Sequence, residues 1–89
     1  MEQGDVNYSV RTEVIWPKDK QPDPNAIYQK DVTLSKGSTV GSVIEAAQEA
    51  GLTVPDQIQD IRAYMCGVIY TVDDLAPSLD VIIVKGAMK

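Results

Sequence analysis

The chain has 89 residues, a formal net charge of −5, one cysteine and no histidine. That length builds one hydrophobic core, and the acidic balance opposes a nucleic-acid backbone or an anionic membrane as partner. The lack of His removes imidazole acid–base chemistry, and a single Cys excludes an internal disulfide and a Cys/His zinc tetrahedron within one chain.

No apolar run approaches the ~20 residues that a membrane helix requires. The opening stretch MEQGDVNYSV lacks a basic region followed by an apolar one, so no signal peptide is expected and a reducing cytoplasm is the expected compartment. Residues 1–7 are polar and are expected to be flexible, with a single domain over residues 8–89.

The first element is read from YSVRTEVIW. Tyr8, Val10, Thr12, Val14 and Trp16 share one face and Ser9, Arg11 and Glu13 the other, the period of a half-buried strand. Pro17 to Asn25, PKDKQPDPN, is proline-rich and charged and predicts an extended solvated loop. As the only Trp, Trp16 is expected to pack in the core beneath a helix. AIYQKDVTL, Ala26 to Leu34, predicts a second strand with Tyr28, Val32 and Leu34 on one face.

Thr39, or Ser38, is a sound helix N-cap, because its hydroxyl can accept from a free amide of the first turn. Val40, Val43, Ile44 and Ala47 then recur at the spacing of one apolar helix face. Gly51 stands where a left-handed residue ends a helix, and Leu52 can fold back onto the last turn. Asp56 to Asp60 reads as a polar connector. Ile61 to Cys66 alternates as a third strand, with Arg62 and Tyr64 facing away from the core. Val68 to Val72 predicts a short fourth strand. Asp73 to Asp80 is turn-rich, with Leu75 and Leu79 expected to plug the core. DVIIV, Asp80 to Val84, is the last strand and is expected to lie parallel to the first. The order predicts an α+β domain, one helix covered by one apolar sheet face.

This order resembles the β-grasp, or ubiquitin-like, fold over residues 8–89, a mixed sheet of four to five strands packed on one helix. GSTVGSVIEAAQEAGL, YMCGVIY and LAPSLDVIIV are similar to segments of its prokaryotic branch: the small sulfur carriers of thiamine and molybdopterin synthesis (ThiS and MoaD) and the RnfH-like proteins. Cys66 stands where those carriers usually have Asn, and Leu79 replaces the Gly before Asp80. Carrier chemistry in that family runs through a terminal Gly-Gly. Gly86-Ala87-Met88-Lys89 does not reproduce it, so carrier chemistry is not expected.

Single residues suggest no catalysis. Cys66 has no second Cys or His to activate it. Asp73, Asp74 and Asp80 lack a cation-loop spacing and read as turn carboxylates bonding nearby amides. No catalytic, cofactor-binding or metal residue is assigned, and no cofactor is expected. If Ile82 and Val84 face the helix, then Val81 and Ile83 face away beside Tyr64. In ubiquitin-like domains this outer face is where partners commonly bind. Arg62, Tyr64, Val81, Ile83 and Lys85 therefore form the candidate interface for another protein.

The expected function is that of a non-catalytic interaction module or adaptor. The resemblance leaves open a sulfur-carrier-like small subunit of a cofactor-synthesis complex, and an accessory subunit of a larger enzyme or phage assembly. The unpaired edge of the second strand leaves a homo-oligomer open as well.

Overall fold

The computed structural model describes residues 4–89. Its elements, in chain order, are β1 (Asp5–Ile15), β2 (Gln29–Ser35), α1 (Val40–Glu49), β3 (Gln57–Ala63) and β4 (Val81–Ala87). The strands form one mixed sheet in the order β2-β1-β4-β3. β1 pairs antiparallel with β2 and parallel with β4, and β4 pairs antiparallel with β3. α1 closes the apolar face of this sheet. The result is an α+β arrangement compatible with a β-grasp fold.

Alternation in β1 sends Tyr8, Val10 and Thr12 inward to full burial. Ile82 and Val84 of β4 and Ile61 and Ala63 of β3 join them. Val40, Val43, Ile44 and Ala47 of α1 cover that layer, all four buried as their spacing requires. Each large apolar side chain so buried contributes about 1.5–3 kcal/mol. The strand begins earlier than the sequence suggests. Asp5, Val6 and Asn7 pair with Ser35, Leu34 and Thr33, so these three belong to β1. Of the rest of the expected flexible segment, Gly4 precedes the strand and residues 1–3 lie outside the described residues.

The helix ends follow their signals. Thr39 Oγ1 accepts from the Ser42 amide at 3.2 Å, as an N-cap does. At the other end the Gly51 amide donates to the Gln48 carbonyl and the Leu52 amide to that of Ala47. This is the paired closure of a Schellman motif, and it requires the left-handed backbone that Gly51 adopts at φ +115°. Leu52 folds back into the core.

Four expectations are corrected. The third strand runs Gln57–Ala63 rather than Ile61–Cys66, so most of the expected Asp56–Asp60 connector is strand, paired with β4, and residues 64–66 are turn. Val68–Val72 is not a strand. Only Ile69 makes an isolated bridge, to Arg62. The carbonyls of Val72 and Asp74 are instead taken by the Gly41 and Val40 amides, at 2.9 and 2.8 Å. Val68 and Tyr70 still hydrogen-bond to Ala63 and Ile61 on the edge of β3, and from Val72 onward the free amides at the start of α1 draw the chain away from the sheet. Leu75 and Leu79 do not plug the core; both are strongly exposed. Trp16 does not pack beneath the helix. It is half-buried, and its indole N–H donates to the Tyr28 hydroxyl at 3.1 Å, closing the base of the 17–25 loop. β1 has by then run past the end of the helix-covered region, so continued alternation no longer implies burial.

Candidate functional site

Strand register sets the outer face. Ser9 lies beside Val81, Arg11 beside Ile83, and Glu13 beside Lys85. On the other side of β4, Arg62 lies beside Ile83 and Asp60 beside Lys85. Tyr64 sits just past β3, its amide donating to the Val81 carbonyl at 2.9 Å. Val81 and Ile83 are half-buried on this face.

The five candidate residues therefore fall into two groups. Arg62, Ile83 and Lys85 share a small depression with Glu13 and Asp60. Arg62 Nε donates to the Asp60 carboxylate at 2.8 Å, an exposed pair worth at most about 1 kcal/mol. Charges of both signs alternate here, so this end has no single electrostatic character. Tyr64 and Val81 belong to a second depression of about 520 Å³, shared with Met65 and Leu79. Its apolar wall is open to solvent: Tyr64 is 61% exposed, Met65 77% and Leu79 94%.

Arg11 roofs that second group. Its guanidinium carbon lies 5.6 Å from the Tyr64 ring centroid. Such a cation–π contact contributes about 0.5–1 kcal/mol at an exposed site. A stacked guanidinium keeps its edge N–H donors free, and Arg11 has no carboxylate partner among the described residues. Arg11, Met65 and Leu79 are the residues that sequence reasoning missed. The outward position of Arg11 follows from the alternation of β1. Its meeting with Tyr64 requires β4 to lie between β1 and β3.

Asp80 organises this corner. Its carboxylate accepts from the amides of Met65 (3.0 Å), Cys66 (3.3 Å) and Val81 (2.7 Å). Desolvation pushes its pKa up, but the Met65, Val81 and Cys66 amides outweigh that, so the carboxyl titrates below its ordinary range. The same carboxylate raises the Cys66 thiol, chiefly by hydrogen bonding and also by its charge, and desolvation of the thiol adds to the shift. A raised thiol carries little thiolate, the reverse of an activated nucleophile. The turn role expected of the carboxylates holds for Asp80, and for Asp74, which accepts from the Thr71 amide at 2.8 Å.

The last residues are stitched down. Met88 donates its amide to the Ile15 carbonyl at 2.9 Å, and Lys89 donates its amide to Asp56 at 3.1 Å. Gly86 is a packing residue, since a Cβ there would lie 2.1 Å from the Gln57 carbonyl oxygen.

Among the described residues no helix is long and apolar enough to cross a membrane. Comparison of the chain with protein-family models, with characterised proteins and with solved structures finds no match.

Proposed function

We propose that this chain is a non-catalytic protein-interaction module of ubiquitin-like character, related to the ThiS, MoaD and RnfH-like branch. It engages a partner protein through the outer sheet face, at the end where β4 begins. One observation carries this reading: Tyr64, Met65 and Leu79 stand exposed around a shared depression, with Arg11 stacked on Tyr64. Aromatic, Met and Arg side chains are enriched at protein interfaces, and an exposed aromatic beside an unpaired Arg makes a strong anchor. Val81 and Ile83 extend the surface along β4 toward Lys85.

The test is affinity purification from the native host with wild-type, Leu79→Asp and Tyr64→Asp chains, each checked for an unchanged circular dichroism spectrum. The proposal expects at least one stoichiometric partner to be lost by both variants. Identical partner sets from folded variants would overturn it.

A further inference from the structure

A second concave surface lies on the other side of the molecule, between the exposed flank of α1 and the start of β3. It has a volume of about 610 Å³. Pro55 and Val54 form part of its apolar lining, and the side chains of Ile58 (42% exposed) and Val72 (48% exposed) stand in it with much of their surface uncovered. Three carboxylates, Glu45, Asp56 and Asp73, line it, and no Lys or Arg does. Asp56 accepts the Lys89 amide, but Glu45 and Asp73 have no hydrogen-bond or ion-pair partner among the described residues. At the Asp56 end Lys20 turns its ammonium to the Lys89 carbonyl at 2.9 Å, so the carboxylates left without a cation among the described residues are those of Glu45 and Asp73.

These features differ from those of the outer face, where both signs of charge alternate. Unpaired carboxylates beside uncovered apolar side chains call for a cation next to an apolar group. A volume of this size holds a few peptide side chains. The backbone edge adds to this. Ile61 and Ala63 are covered on that edge by Tyr70 and Val68, whereas residues 57–60 have no such cover among the described residues. The uncovered edge borders the groove at Ile58.

We propose that this groove binds an extended peptide segment of a partner protein in which Lys or Arg alternates with apolar residues. The carboxylates of Glu45 and Asp73 receive the cations, and Ile58, Val72 and Pro55 receive the apolar side chains. The site is separate from the outer face, so each is tested without the other.

The experiment uses the full chain, ¹⁵N-labelled, titrated with an end-blocked peptide of alternating Lys and Val and with its Glu/Val counterpart. Saturable shifts from the Lys peptide below ~1 mM, centred on Ser42, Glu45, Ile58 and Val72, are expected, with none from the Glu peptide. The E45K/D73K variant should weaken binding at least about tenfold, while the charge-matched D19K/D31K variant and Leu79→Asp leave it within about twofold. Equal weakening by D19K/D31K, shifts centred on Tyr64 and Val81, or no saturation would each overturn the proposal. So would groove shifts that grow with protein concentration alone, because the occupant would then be a second copy of this chain.

Discussion

β4 and the segment just before it, residues 64–79, are both rich in large apolar side chains, yet they meet opposite fates. In β4, Ile82 and Val84 are fully buried and Val81 and Ile83 are half covered. In the preceding segment Tyr64, Met65, Val68, Ile69, Leu75 and Leu79 all stay exposed. Hydrophobicity does not separate them; neighbours do. β4 has a strand on each side and a helix beneath. The preceding segment divides its backbone hydrogen bonds among the edge of β3, the start of α1 and the Asp80 carboxylate; it packs Tyr70 and Ala76 partly against the core and leaves those six side chains uncovered. A core strand and an exposed apolar surface thus sit next to each other in the chain.

The contrast predicts a gradient of mutational effects. Ile82→Ala, at a site with no exposure, should cost about 2–5 kcal/mol in denaturant unfolding. Gly86→Ala should cost about 1–3 kcal/mol by the same measurement, because the added methyl meets the Gln57 carbonyl and the β3 backbone must move. Thr39→Ala removes the helix cap and should cost about 1 kcal/mol. Leu79→Ser, at a side chain 94% exposed, should leave stability within about 0.5 kcal/mol. If Leu79→Ser instead cost as much as Ile82→Ala, the two regions would not differ as described.

Smallest in stability, but distinctive, are the effects at Asp80 and Cys66. Because the folded-state pKa of Asp80 lies below its ordinary value, its contribution is present above the ordinary carboxylate pKa and is lost as pH falls through the folded value. Hydrogen exchange at the Met65 and Val81 amides should therefore accelerate, relative to a core amide such as that of Val84, as the solution is acidified below the ordinary carboxylate range. Cys66 should alkylate slowly at neutral pH, and Asp80→Asn should speed it, since the group that raises the thiol is gone. Alkylation unchanged by Asp80→Asn would contradict that coupling.

What was legible in the sequence is what repeats. Tyr8, Val10 and Thr12 alternate, so the inner face of β1 could be read, and Ile82 and Val84 gave the inner face of β4 in the same way. Thr39, Gly51 and Leu52 marked the helix ends by local chemistry. Leu75, Leu79 and Trp16 were misread for one shared reason. Each lies beyond the reach of a covering element, where periodicity and apolar character no longer report burial. The meeting of Arg11 with Tyr64 was illegible because it joins residues of β1 and the end of β3, which become neighbours only across β4. The groove between α1 and β3 depends on Val72 being drawn to the start of the helix, a tertiary event with no local signal.

The most direct test of the proposed interface is site-specific photocrosslinking in the native host, with a benzophenone amino acid at Leu79 and, for comparison, at Glu49 and Asp23. All three sites are exposed, so they differ in surface and not in access. A discrete crosslinked partner at Leu79 that is missing at Glu49 and Asp23 is the expected result. The same faint, heterogeneous adducts at all three sites would contradict the proposal that the exposed apolar corner of the outer face is a binding surface.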